Sequence, residues 1–291
     1  MTNKTSLVAL ILALIALLVV IARPVGHEVA AKHETAFERV TRSGTLRCAY
    51  IARAHHFTID AATKQISGID YEVMEAAAKL LHLKVDWVEE TGYGAFPEQL
   101  QSGKEDALCV TVWTSTARAV RTLSTAPVII SPLYVFVREG DTRFDNHLEA
   151  LNDEKYTLAV LDGATMKAVA DTSFPKAKQF AASGLSADGE VLLNIVTGKG
   201  DAGFFDEIMV NDFNQNSPDK KLRRVSGVLP VRNYPETFSV AMGEWELREM
   251  LSVAIAELHN NGTIERILQK YETFPGEIAR VVLPYVGQGK S

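Results

Sequence analysis

Leu100-Gln101-Ser102-Gly103-Lys104-Glu105-Asp106-Ala107, continuing as Leu108-Cys109-Val110-Thr111-Val112-Trp113, is the stretch that decides the fold. Phe96 to Gln101 reads as a short helix, with Gly103 near its C-cap, where a left-handed backbone favours glycine. Ala107 to Trp113 is an apolar run of strand length, too short for a core helix. A helix that turns into a buried strand is half of a β-α-β unit. Upstream, Thr45 to Ile51 and Leu83 to Glu89 read as strands. Asp70 to Leu81 carries Val73, Ala77, Leu80 and Leu81 at helical spacing. The order is β-α-β-α-β, which implies a parallel sheet with right-handed crossovers. His56 to Gly68 reads as a hairpin excursion within it.

Downstream a second unit follows. Leu133 to Val137, Tyr156 to Leu161 and Asp201 to Phe205 read as strands. Met166 to Ala170, Gly189 to Thr197 and Glu207 to Asn214 read as helices. Ser239 to Met242 is a late strand. Glu244 to Asn260 is a long helix with Leu247, Met250, Leu251, Ala254 and Leu258 on one face. Thr263 to Lys270 is the last helix. Two such units imply an α/β chain of two lobes with a cleft between them. Ligands in open α/β sheets sit beyond the C-terminal strand ends, where helix N-termini present free N–H groups.

Composition limits the function. The chain has 291 residues, 30 Lys+Arg against 36 Asp+Glu and a formal net charge of −6. It has no basic excess with which to displace phosphate counterions, so no nucleic-acid partner is expected. With 47% apolar residues it is not a disordered chain. From Thr5 to Ala22 no charge interrupts an almost purely aliphatic run, preceded by Lys4 and followed by Arg23-Pro24. As a helix it would span roughly 27 Å, close to a bilayer core. Residues 1–23 therefore read as a secretory signal peptide or an uncleaved membrane anchor, an N-terminal apolar helix in either case. Both readings place the remainder outside the cytoplasm. Residues 24–36 read as a linker.

Taken in order, the motifs resemble those of the family 3 extracellular solute-binding proteins, the polar-amino-acid receptors of ABC transporters. Ser43-Gly44-Thr45-Leu46-Arg47 resembles the family's first strand, and Gly68-Ile69-Asp70-Tyr71-Glu72 its "G-F-D-V-D" helix entry. Leu100 to Ala107 resembles "L-x-S-G-K-x-D-A", and Thr114-Ser115-Thr116-Ala117-Arg118 resembles "T-x-x-x-R". Gly200-Asp201-Ala202-Gly203-Phe204-Phe205-Asp206 resembles "x-D-A-x-x-x-D", and Leu258 to Thr263 resembles "L-x-x-x-G-T". The resemblance runs from about Phe37 to Tyr271 and implies a type II, two-lobed periplasmic binding fold. Residues 37–135 and 232–275 would form one lobe, residues 136–231 the other, and 276–291 a tail. It implies a periplasmic protein that captures a polar amino acid, or a similar zwitterion, for an inner-membrane ABC permease, without cofactor or chemistry.

The resemblance also assigns a site. Arg118 would hold the ligand carboxylate, because a guanidinium fork matches it bidentately. Backbone N–H groups near Thr111 and Trp113 would add contacts. Asp206 would accept from the ammonium, although it also reads as an N-cap before Glu207. Gly163 and Thr165 would present N–H donors at a helix N-terminus. Tyr50, Tyr93 and Trp113 fall on cleft loops, where an aromatic at a strand end either stacks on the ligand side chain or packs in the core of a lobe. The chain departs from the pattern where Thr111 replaces a glycine and Trp113 a threonine, and where Arg53 makes the loop after the first strand basic. Arg53 could favour an acidic ligand side chain. The resemblance extends to periplasmic cyclohexadienyl and arogenate dehydratases, for which Glu207 would be the first general-acid suspect. A membrane-tethered sensor is a third reading. His55-His56 lacks partners at ligand spacing, so no metal site is expected. Cys48 and Cys109 fall near the ends of neighbouring parallel strands. Export permits a disulfide, while strand geometry favours two buried thiols.

Overall fold

The computed structural model describes residues 34–183, 188–217, 219, 221–273 and 277–281. The apolar leader and residues 282–291 lie outside them. Among the described residues no helix is long and apolar enough to cross a membrane.

The first helix, α1 (Ala36–Ser43), starts inside the stretch read as linker. Its N-cap is Thr35, whose hydroxyl accepts from the Glu38 amide while the Glu38 carboxylate accepts from the Thr35 amide. This reciprocal box satisfies two otherwise unpaired donors of the first turn. Strand β1 (Thr45–Tyr50) follows. The hairpin β2 (Thr58–Ile59) and β3 (Ile66–Ser67) leads to α2 (Ile69–Leu80), β4 (Lys84–Glu90), α3 (Phe96–Ser102) and β5 (Ala107–Trp113). β1 lies between β4 and β5, parallel to both. Asp106 explains why this sheet begins where it does. Its carboxylate accepts from the Arg47 amide at 2.7 Å and pairs with the Arg39 and Arg47 guanidiniums, tying the starts of β1 and β5 together.

The short α4 (Thr116–Ala119) and β6 (Thr122–Ser124) lead to β7 (Ile129–Arg138), which leaves the first half of the molecule. The second half holds β8 (Thr157–Leu161), α5 (Thr165–Ser173), β9 (Lys178–Ala182), α6 (Asp188–Val196), β10 (Ala202–Phe205), α7 (Glu207–Asn216) and β11 (Leu222–Arg224). Asp201 repeats the role of Asp106. Its carboxylate accepts from the Thr157 amide at 2.9 Å and pairs with Arg143, so the "D-A" of both motifs locks adjacent strand starts. Strand β12 (Arg232–Ala241) returns to the first half, followed by α8 (Trp245–Asn260) and α9 (Thr263–Tyr271).

The sheet order is β4-β1-β5-β12-β7-β10-β8-β9. β7 and β12 are antiparallel, from Arg232 opposite Leu133 to Glu236 opposite Ile129, and then diverge. Beyond that ladder β12 pairs with β5, and β7 with β10. Three cores result. One lies under α2, α8 and α9 around Val73, Leu251 and Phe238. A second, from the alternate residues of β1 and β5, gathers Ala49, Phe57, Phe96 and Leu108. The third surrounds Leu158, Phe204 and Ile195. This is the two-lobed, mixed α/β arrangement of type II periplasmic binding proteins. Both crossing strands are longer than the sequence pattern indicates. Pro132 and Pro235 sit inside the ladder, opposite Asn233 and Ile130, and a proline argues against a central strand when read from sequence alone.

Three further elements differ from expectation. Cys48 and Cys109 form a disulfide instead of remaining two thiols. Cys48 pairs opposite Ala107, so Cys109, two residues on, shares its face and lies 5.4 Å away between Cα atoms. That separation is within bridging range. The basic stretch Lys221-Leu222-Arg223-Arg224, to which the sequence pattern assigns no element, contains a strand. Leu222–Arg224 pairs with β7, Arg223 with Asp145, and Arg224 with Glu207. In the tail, Ile278 is buried and Ala279 bridges to Ile130 of β7.

Candidate functional site

Arg118 sits on the turn that follows β5. The one-turn α4 directs its side chain back under the strand end, where Nη1 donates to the Trp113 carbonyl at 2.8 Å. The guanidinium lies 5.7 Å from the Tyr93 ring centroid and 5.6 Å from that of Phe96. It is 8% exposed, and its Nε has no hydrogen-bond partner. Burial, opposed in part by the nearby Tyr93 phenol, lowers its pKa to about 10, so it stays charged at neutral pH. None of the ion pairs among the described residues includes it.

A buried polar network lies behind this residue. The Arg53 guanidinium pairs with Glu236 at 2.7 Å, and the same Nη2 reaches the Thr111 hydroxyl at 3.4 Å. Glu236 also accepts from Thr111 Oγ1 at 2.7 Å and from the Trp113 indole at 3.2 Å. Burial opposes its charge, but Arg53 and His56 outweigh that and hold Glu236 down to about 2. The Thr111 amide donates to Asp70 at 2.9 Å, and His56 Nδ1 lies 3.1 Å from the same carboxylate. The Thr111 amide therefore already has a partner, and His56 serves an internal pair. Among the described residues no group of side chains could hold a metal.

The opposite wall comes from the second lobe. Gly163 has a φ of +75°, a conformation that favours glycine. It precedes α5, whose N-cap Ala164 supplies no side-chain cap. The Lys167 amide donates back to the Ala164 carbonyl at 3.2 Å, which leaves the Thr165 and Met166 amides at the helix start to face an anion. Thr165, the first helical residue, is 4% exposed and its hydroxyl has no partner. Asp188 opens α6 and accepts from the Tyr93 hydroxyl at 2.9 Å across the cleft. Burial raises its pKa. Asp206 serves as the N-cap of α7, accepting from the Met209 amide at 2.9 Å, and it is also a buried cleft residue at 7% exposure. Burial, then the Glu236 charge, raises its pKa.

These groups enclose two spaces. A cavity of about 20 Å³ is lined by Arg53, Tyr93, Trp113, Arg118, Thr165 and Asp188. It holds about one water, so an amino acid enters only if the lobes part. A larger cavity of about 230 Å³, beside the hinge, is lined by His56, Asp206, Glu207, Glu236 and Glu277 among others. Arg118 and Asp206 thus face different spaces, and the Arg53–Glu236 pair stands between them. Of the expected residues, Tyr93, Trp113, Arg118 and Thr165 line the first cavity and Asp206 the second. Gly163 borders a groove on the far side of Arg118. Thr111 is buried beneath the site. Tyr50 stacks on Phe57 at 4.6 Å and lines none of these spaces. Glu207 is paired with Arg224 on the rim. Asp188 and Glu236 escaped sequence reading. An isolated acid on a helix start or beside a proline carries no local signal.

The model of the bacterial extracellular solute-binding proteins, family 3, matches residues 46–274. A Bacillus subtilis (strain 168) protein named "Probable amino-acid-binding protein YxeM" is 24% identical over 71% of this chain and 76% of its own length. Among solved structures, the ancestral amino acid-binding protein AncCDT-1, a precursor of cyclohexadienyl dehydratase, superposes with a TM-score of 0.69. It is 22% identical and covers 81% of this chain and 99% of its own. An amino acid ABC transporter substrate-binding protein from Streptococcus pneumoniae bound to L-arginine gives 0.68 at 20% identity, covering 85% and 100%. The cysteine-binding protein of Campylobacter jejuni gives 0.69 at 19%, covering 82% and 93%.

Proposed function

The chain belongs to the bacterial extracellular solute-binding proteins of family 3, and we propose that within it this protein captures a free amino acid, or a similar zwitterion, between its lobes in the periplasm. An ABC permease of the inner membrane would then receive the ligand. The observation that carries the reading is Arg118, a buried cation without a carboxylate partner among the described residues. It lines one cavity with Thr165 and Asp188 of the other lobe. A ligand carboxylate would be held by Arg118 from one side and by Thr165 and the open amides of α5 from the other. Its ammonium would meet Asp188 or Asp206. A molecule that touches both walls binds the closed form better than the open one, which is what drives closure.

Calorimetry and thermal shift of the purified protein against the common amino acids test this. A ligand present at 100 times its Kd raises stability by roughly 2.7 kcal/mol. Arg118→Ala is expected to stay folded and lose binding. A variant that binds normally overturns the assignment.

A second reading, elimination of water from a small carboxylate, draws on the raised carboxyl of Asp206 in the larger cavity. That carboxyl is a better acid candidate than Glu207, which is paired with Arg224. Turnover of prephenate or arogenate would support the enzyme, and stoichiometric binding alone the receptor.

A further inference from the structure

Residues 277–281 follow the last helix, yet they touch both lobes and the strands that join them. Several contacts fix the segment to the first lobe. Ile278 is 2% exposed and packs in the core that contains Ile264, Ile267 and Leu268 of α9. Its amide donates to Glu272 at 3.1 Å, and Arg280 forms ion pairs with Glu265 and Glu272. At the joining strands, the Ile130 amide of β7 donates to the Ala279 carbonyl at 3.0 Å. Ile130 is thus flanked by Pro235 of β12 and by Ala279. Toward the second lobe, Glu277 Oε1 accepts from the Asn211 side-chain amide of α7 at 2.9 Å, while Oε2 accepts from the Thr273 backbone amide at 2.8 Å. One carboxylate therefore has an oxygen on each lobe. Ile208, three residues before Asn211 and so on the same face of α7, packs into the core that holds Ile278.

The lobes stand closed in this structure, with Tyr93 bonded to Asp188 across the cleft and Gly163 against Gly94. We propose that Glu277–Arg280 is a strap that favours this closed form. It rides on the first lobe through Ile278 and Arg280, and it grips α7 through the Glu277–Asn211 bond while the lobes are together. Opening breaks that bond and leaves the strap in place. The device acts on closure itself and does not depend on which molecule enters the cleft.

Hydrogen exchange of the ligand-free protein, read by mass spectrometry, tests it, because cleft amides exchange when the lobes part. Asn211→Ala and Glu277→Ala each remove the bond and keep Ile278 and Arg280. Either is expected to speed exchange of the cleft segments 91–95 and 163–167 about tenfold, as loss of one hydrogen bond to a charged group shifts a closed-to-open ratio. The double variant should not exceed Glu277→Ala, because the two changes act on one bond. Exchange in β1 and β8 should keep its wild-type rate. Unchanged exchange in the cleft overturns the proposal. So does a rise that extends equally to β1 and β8, which would mark general loosening, or a double variant in which the two effects add.

Discussion

Gly163 of the second lobe meets Gly94 of the first so closely that a Cβ built on Gly163 would stand 2.8 Å from the Gly94 Cα. Backbone touches backbone here, so no side chain can yield to relieve the contact. Gly163→Ala is expected to hold the lobes apart, and its φ of +75° adds about 1 kcal/mol of local strain. Ligand affinity should fall about tenfold or more, and small-angle scattering with ligand should show a larger radius than wild type. Gly94→Ala is the control. Its Cβ would meet the second lobe only at 3.9 Å, an ordinary contact, and affinity should stay near wild type.

The Tyr93 hydroxyl and Asp188 form the hydrogen bond that joins the walls of the small cavity. Tyr93→Phe keeps the ring over Arg118 and removes only the donor. The closed form should lose about 2 kcal/mol, or roughly thirtyfold in affinity, with a faster off-rate by stopped flow. Unchanged affinity would show that the bond is equally formed in the open state.

Glu236 sets the acid limb of stability. Its pKa falls from 4.5 to about 2 on folding, so the unfolded chain binds more protons between those values and stability rises with pH there. The contribution, about 3 kcal/mol by linkage, is complete above pH 4.5 and lost as pH falls toward 2. Asp188 and Asp206 have the opposite sign. Their raised pKa values mean that ionisation destabilises the fold, an effect that sets in as pH rises through them. Glu236→Gln should flatten the acid limb in a melting series from pH 2 to 6. It should also lower stability at pH 7 by about 3 kcal/mol, because Arg53 would be left buried without its counter-ion.

The Cys48–Cys109 disulfide closes a loop with a sequence separation of 61. In the chain-entropy treatment such a loop contributes about 4 kcal/mol through the unfolded state. The Cys48→Ala/Cys109→Ala pair should melt well below the oxidised protein. Ligand affinity should change little, because both sulfurs lie in the core under α2, away from either cavity. A reductant should lower the wild-type melting temperature and leave the double variant unaffected.

The strands with unbroken apolar runs were legible in the sequence. Ala107–Trp113 begins and ends where its pattern says, and β8 and β10 differ by one residue at the start. Legibility failed where tertiary pairing overrides local pattern. Lys178–Ala182 is an edge strand with mostly exposed side chains, and its apolar stretch is only Phe180-Ala181-Ala182, too short to read as a strand. The helix Ala36–Ser43 was not read, because its sequence is short and polar and only Val40 is buried. Within the site, Arg118 was readable from its motif. The Arg53–Glu236 pair joins residues 183 apart, one of them beside a proline in the returning strand. Nothing local to either residue announces the other.

The paired stretch of β7 and β12 has a mechanical consequence. Its five rungs run from Arg232–Leu133 to Glu236–Ile129, so bending must be shared by both strands about one axis. Glu236 is the last rung and the anchor of Arg53. Flexing of that two-stranded leaf would move Glu236 and, through their ion pair, the Arg53 guanidinium that lines the small cavity. The ladder would then act as a strain gauge, with the bend of two strands read out at one buried cation.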